Sequence, residues 1–137
     1  MKHAFFALIL AFNFSLQATN LKIKTPHGEK IFHAEIALSP QEHMRGLMFR
    51  TDLKSDEGML FVMNPATTTS MWMKNTPLSL DMLFINPQGK IAHIEKFTTP
   101  YSLRIIGPYR NIAYVFEVLG GTCEIHDIRE GDSLILQ

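Results

Sequence analysis

The chain has 137 residues, of which 46% are apolar, and its 13 basic and 13 acidic side chains cancel to a formal net charge of zero. A chain of this length has room for one hydrophobic core, so we predict one domain. No run of five or more Lys or Arg residues occurs. The basic surface typical of nucleic-acid-binding proteins is therefore not expected, and we predict no nucleic-acid partner.

Residues 1–18 have the pattern of a secretory signal peptide. Lys2 and His3 precede a mostly apolar run over residues 4–16. This run is shorter than the roughly 20 residues that a membrane-spanning helix needs. We predict cleavage after Ala18, a mature domain over residues 19–137 without a stable membrane span, and a periplasmic or secreted location.

Cys123 is the single cysteine of the chain. A single cysteine excludes an intrachain disulfide and a zinc site built from cysteines. We expect a buried thiol, and the alternative is a reactive one.

Short apolar segments separated by turn residues follow one another along the mature chain. This spacing predicts a mostly β (α+β) fold, in which one or two short helices accompany a compact, barrel-like antiparallel sheet. We predict a loop over residues 98–111 and strands over residues 21–25, 30–38, 58–63, 70–74, 80–85, 90–96, 113–119 and 133–136.

One short helix has clear boundaries in the sequence. Ser39 and Glu42 form the pattern of a capping box, and Pro40 stands at the first helical position. Gly46 can end the helix in a left-handed conformation. The sequence therefore predicts a helix over residues 40–45 that covers part of the sheet.

Six strings, in this order and spacing, resemble the domain-of-unknown-function family 192 (DUF192): RGLMFR at 45–50, GMLF at 58–61, WMKNT at 72–76, LDMLFI at 80–85, YVFE at 114–117 and GD at 131–132. The resemblance implies a compact, mostly β domain that is often exported. It implies no established activity, substrate or cofactor, so no catalytic residue is assigned and no cofactor is predicted. Phe116, where a leucine is more usual, and the Gly120-Gly121 segment depart mildly from the family pattern.

Two acidic residues interrupt strongly apolar segments, namely Asp81 and Glu117. An unpaired buried carboxylate is costly, so each is expected to have a cation or several backbone amides nearby. Arg45, Arg50 and Lys74 are the cations that we expect to serve as partners.

The functional hypothesis is a cleft that binds a small polar ligand, with Trp72 as a stacking surface. The alternative is that the same residues form an ion-pair network that only ties the helix to the sheet. The candidate cleft residues are Arg45, Arg50, Trp72, Lys74, Asn75, Asp81 and Glu117. The corresponding function is a binding or accessory module of the cell envelope, with a small polar ligand or an envelope protein as partner.

Two further functions follow from other residues. An envelope hydrolase would use Asp81 with Lys74 or Arg45, or Asp81 and Glu117 as an acid and base pair. A soft-metal site for copper would use Met44, Met71, Met73 and His43, because thioethers prefer soft ions. Methionine also fills apolar cores, and we expect that packing role for most of these residues.

Overall fold

The structure is a computed structural model that describes residues 16–137. Most of the predicted signal peptide, residues 1–15, lies outside the described residues. Seven strands and two short helices make up this part of the chain: β1 (Gln17–Thr25), β2 (Gly28–Ala37), α1 (Pro40–Arg45), β3 (Glu57–Met71), β4 (Leu80–Ile85), β5 (Ile91–Glu95), β6 (Ile106–Leu119), α2 (Thr122–Ile125) and β7 (Ser133–Leu136). Neither of these helices is long and apolar enough to cross a membrane.

The strands form one sheet in the order β5-β4-β6-β3-β2-β1-β7. Only β2 and β3 run parallel, and the other neighbours are antiparallel. The sheet curls into a half-barrel, and its edges meet through an isolated bridge between Lys90 and Ser133. The predicted mostly β, barrel-like fold with short helices is confirmed.

Both faces of the sheet are covered, so strand residues near its centre are buried on whichever face they lie. All six residues of β4 are buried. Leu83 and Ile85 belong to one apolar cluster, which we call the α2-side core because Cys123 and Ile128 complete it. Met82 and the other alternate residues of β4 belong to a second cluster, the α1-side core. Neighbouring residues of one strand therefore enter different cores.

The local signals in the sequence correspond closely to the structure. The predicted first hairpin is present, with Thr25 paired to Gly28 across its turn. In α1, the Glu42 amide donates to the Ser39 hydroxyl (3.1 Å) and the Ser39 amide donates to the Glu42 carboxylate (2.9 Å). Gly46 ends the helix with φ +47°. The helix prediction is confirmed to the residue.

The long strands differ from the prediction. The strand predicted over residues 58–63 and the start of the one predicted over 70–74 form a single strand, β3, which ends at Met71. It has register shifts against β6 after Val62. β6 begins at Ile106, so part of the predicted loop over 98–111 is strand. The chain between Asn64 and Thr69 lacks the alternation of apolar and polar residues that is typical of a strand. It is extended because it pairs with β6, which is distant in sequence. The helix α2 was not predicted.

Candidate ligand-binding site

A cavity of about 540 Å³ lies between α1 and the sheet, and we call it the main cavity because it is more enclosed than a shallower space of about 730 Å³ beside Pro40, Met44 and Phe49. α1 provides Gln41, Glu42 and Arg45 to its wall, and the sheet provides Glu35 and Met59. Its volume lies within the range of about 300–1,000 Å³ that is usual for small-molecule sites. Leu16, Gly46 and Arg50 complete the lining.

Most charged groups of the main cavity already have partners within the protein. Arg50 forms an ion pair with Glu35, and both side chains are about one third exposed. The Glu42 carboxylate accepts hydrogen bonds from the backbone amides of Ser39 (2.9 Å) and Leu38 (3.2 Å). These bonds, first of all that with the Ser39 backbone, lower the pKa of Glu42. Within residues 16–137, the side chain of Arg45 makes no ion pair or hydrogen bond, so its donors remain available to a ligand.

A second, much smaller space of about 30 Å³ adjoins the main cavity, and we call it the recess. Arg45 and Gly46 line both spaces. Residues from four parts of the chain meet here, because α1 and the turn after β3 both pack over the same face of the sheet. The lining consists of His43, Met44, Arg45, Gly46, Leu47, Met48, Phe61, Met71, Trp72, Lys74, Thr76 and Glu117.

Glu117 is the buried acidic group of the recess. It lies on β6 in the α1-side core, opposite Met59 of β3 and Met82 of β4, and only 3% of the residue is exposed. Burial raises the pKa of the Glu117 carboxyl from 4.5 to about 8, and no neighbouring charge opposes this shift. Among the described residues, its carboxyl has neither a cation nor a hydrogen-bond donor as partner. The cation or backbone amides that we expect beside Glu117 are therefore not found among the described residues.

The absence of a side chain at Gly46 brings the backbone of α1 close to this carboxyl. A Cβ atom placed on Gly46 would lie 3.9 Å from Oε1 of Glu117 and 3.0 Å from the Phe61 ring. The positive φ of Gly46 also disfavours other residues at this position. Gly46 thus ends the helix and allows it to close over Glu117.

The turn after β3 forms the outer part of the recess. The Lys74 ammonium lies 5.1 Å from the centre of the Trp72 ring, a cation–π distance, and both residues are exposed. Asn75 has φ +54°, and its carbonyl accepts a hydrogen bond from the Phe49 amide (2.7 Å). The turn and the segment after α1 are therefore held together.

Asp81 lies on the other face of the sheet. The carboxylate accepts hydrogen bonds from the amides of Phe97 (3.0 Å), Gly121 (3.2 Å) and Cys123 (2.9 Å). Asp81 pairs with Val118, whereas Glu117 pairs with Met82, so the two carboxyl groups point into different cores. Of the two kinds of partner expected for Asp81, a cation or several backbone amides, the structure has the amides, and Asp81 anchors the start of α2.

The other candidate residues divide between the recess and the core. Arg45, Trp72, Lys74 and Glu117 meet at the recess, and Arg50 lies in the main cavity. Asn75 borders the recess, with its side-chain amide 4.0 Å from the Met48 sulfur. This arrangement does not support the hydrolase alternative, which needs Asp81 beside Lys74, Arg45 or Glu117.

The methionine and histidine candidates for copper are only partly gathered. Met44, Met71 and His43 line the recess, but Met73 is buried in the α1-side core. The His43 Nε2 atom lies 2.9 Å from the Ala37 carbonyl oxygen. Residues 16–137 contain no group of three His, Cys, Asp or Glu side chains that would hold a metal ion.

Sequence reasoning did not identify Glu35, Glu42 and Met59 as cavity residues. Glu35 and Met59 occupy paired positions of β2 and β3, and a parallel pairing between distant segments has no local sequence signal. Glu42 was identified only as a helix cap.

Comparison with known proteins places this chain in one family. Residues 22–136 match the DUF192 family, described as "Uncharacterized ACR, COG1430". A protein of Sinorhizobium meliloti 1021, described as a "putative transcription regulator", is 36% identical, with a TM-score of 0.85 over 88% of this chain and 94% of that chain. A protein of unknown function from Novosphingobium aromaticivorans DSM 12444 is 30% identical, with a TM-score of 0.86 over 89% and 87%. No curated protein matches. The resemblance seen in the sequence is confirmed, and the chain belongs to the DUF192 family.

Proposed function

We propose that the protein is a binding module for a small organic anion, which occupies the main cavity with Arg45 as its charged contact. The observation that supports this function most is the guanidinium of Arg45, which lines the cavity and makes no ion pair or hydrogen bond within residues 16–137. Arg50 is neutralised by Glu35, and Glu42 is held by the cap of α1. The guanidinium of Arg45 is left with unused donors, and guanidinium groups bind carboxylates and phosphates with two parallel hydrogen bonds.

The other residues that line the main cavity indicate which further chemical groups the ligand contains. Met59 is buried beneath the cavity, and the side chain of Gln41 provides an amide at its wall. An apolar floor beside a few polar groups is the usual composition of a small-molecule site. The expected ligand therefore combines one anionic group with a body that is partly apolar.

A fluorescent sulfonate tests this proposal without knowledge of the natural ligand. 8-Anilinonaphthalene-1-sulfonate carries one permanent anionic group on an apolar body. We expect saturable fluorescence enhancement by the full chain, weakened at least about fivefold in Arg45→Gln, because loss of a charged hydrogen bond costs on the order of 1–3 kcal/mol. Arg110→Gln is the matched control, since Arg110 is exposed on β6 and does not line the cavity. Equal affinity in both variants would refute the role of Arg45.

We also propose that this module acts in the cell envelope after export. The support is the charged start and apolar run of residues 1–16. Cleavage after Ala18 would remove Leu16 from the cavity wall and would shorten β1 by Gln17 and Ala18, which pair with Ile36 and Glu35. Intact mass spectrometry of the protein from a periplasmic fraction tests this proposal. A mass beginning at Thr19 is expected, and an uncleaved chain in the cytoplasmic fraction would contradict it.

A further inference from the structure

The carboxyl group of Glu117 has no partner in the part of the chain that the structure describes. Only 3% of the residue is exposed. Buried polar groups in folded proteins nearly always have a hydrogen-bond partner. Asp81, the other buried acid of this sheet, obtains three backbone amides. Glu117 instead faces the recess, and its carboxyl oxygens are open to that space, because no fully enclosed side-chain oxygen or nitrogen of the described residues lacks a partner. The partner is therefore expected to be a water molecule or a ligand group in the recess.

The size of the recess limits what can reach this carboxyl. A volume of about 30 Å³ admits a water molecule or a group of a few atoms, because a single water needs roughly 10–15 Å³ by this measure. A carboxylate group is small enough to enter, whereas a ring is not. The ligand group in contact with Glu117 must therefore be a small terminal group.

The charges around the recess favour an anionic group. The titratable and charged side chains that line it with Glu117 are His43 and Arg45 of α1 and Lys74 of the turn after β3. None of them is acidic. Burial keeps the carboxyl of Glu117 protonated at neutral pH, so it can donate a hydrogen bond to an anionic oxygen instead of repelling it.

We propose that the recess is a proton-linked carboxylate subsite of the main cavity, in which the carboxyl group of Glu117 donates a hydrogen bond to the bound carboxylate and Arg45 and Lys74 supply the compensating charge. This inference rests on the proposed function, because Arg45 and Gly46 line both spaces. It adds the chemical class of the recognised group and a dependence on pH. Deprotonation of Glu117 places a second negative charge beside the ligand and removes the donated hydrogen bond.

Acetate tests the subsite, because its carboxylate group is small enough to enter the recess and keeps its charge between pH 6 and 9. Binding to the full chain is measured from chemical shifts of the backbone amides of residues 44–48 and 116–118. We expect the affinity to be constant below pH 7 and to fall towards tenfold per pH unit above pH 8. Glu117→Gln should bind acetate at pH 6 about as well as the wild type and should lose this dependence, since the amide cannot ionise.

His43→Gln is the control for the second titratable group of the recess, and it should keep the loss of binding above pH 8. Methylammonium tests the opposite charge preference. Binding of methylammonium that strengthens as pH rises would overturn the proposal, and so would acetate binding with the same pH dependence in Glu117→Gln as in the wild type.

The fluorescent sulfonate separates this inference from the proposed function. If acetate leaves the recess signals unchanged while the sulfonate still binds in an Arg45-dependent manner, the carboxylate subsite is refuted and the main cavity stands. If neither probe binds, both proposals fail.

Discussion

Replacement of Glu117 by Gln should make the protein more stable at pH 7.5 and should remove a specific part of its pH dependence. The pKa of Glu117 is about 8 in the folded protein, against an ordinary value of 4.5. Between these values the folded state holds a proton that the unfolded state has released, so stability falls as pH rises. The stabilising contribution is complete below pH 4.5 and is lost as pH passes 8.

The size of the effect follows from the two pKa values. Each pH unit inside this window changes the free energy of unfolding by about 1.4 kcal/mol, so the whole window corresponds to about 5 kcal/mol. Glutamine has nearly the same shape and does not titrate. From pH 5.5 to 7.5, the stability of the wild type should therefore fall by roughly 2 to 3 kcal/mol relative to Glu117→Gln.

Urea unfolding of both proteins at pH 5.5, 6.5 and 7.5 measures this difference. Other ionisable groups contribute equally to both proteins and cancel. Glu124→Gln serves as the control, because Glu124 is exposed on α2, and its stability relative to the wild type should not change over this range. If the free energies of unfolding of the wild type and Glu117→Gln differ by the same amount at all three pH values, the prediction that the Glu117 carboxyl is protonated and unpartnered is refuted.

Three further predictions concern the packing around the two acids. Asp81→Ala should destabilise the fold by about 3 kcal/mol in urea unfolding, because three backbone amides, two of them buried, lose their acceptor; a loss below about 1 kcal/mol would contradict this anchoring role. Cys123, 1% exposed and with a pKa raised by burial, should resist thiol reagents at pH 8 until the protein unfolds, and reaction faster than unfolding would disprove its burial. Gly58→Ala should lower stability by at least about 2 kcal/mol, since a Cβ would lie 2.5 Å from the Glu117 carbonyl oxygen and 2.6 Å from the Phe116 ring; unchanged thermal unfolding would contradict this close packing.

Features that depend on neighbouring residues could be predicted from the sequence. The capping box of Ser39 and Glu42 and the glycine at position 46 fix both ends of α1, because each acts within a few residues of the chain. The first hairpin follows from the turn between Thr25 and Gly28 for the same reason. The resemblance to DUF192 added the overall fold class.

Features that depend on long-range pairing could not be predicted. The lengths of β3 and β6 are set by their mutual register, and the opposite orientation of Asp81 and Glu117 is set by the register of β4 against β6. The sequence indicated that both acids are buried and need partners. It could not show that the Asp81 carboxylate is bound by backbone amides. It also could not show that Arg50 pairs with Glu35 and not with Glu117.

The convergence of the candidate residues was predicted only in part. Arg45, Trp72, Lys74 and Glu117 come together because α1 and the turn after β3 cover the same face of the half-barrel. The network hypothesis required these residues to be paired with one another. Within residues 16–137, the cations of the recess make no ion pair with Glu117, so the structure does not show the paired network there.

The most direct test of this account is the titration of the Glu117 side-chain carboxyl carbon by NMR in the full chain, with the signal assigned by its loss in Glu117→Gln. We predict a midpoint near pH 8 for the free protein and a higher midpoint when acetate is bound, because the bound anion favours the protonated acid. A midpoint near 4.5 would show that the carboxyl is ionised at neutral pH, and it would contradict both the protonated acid and the subsite built on it.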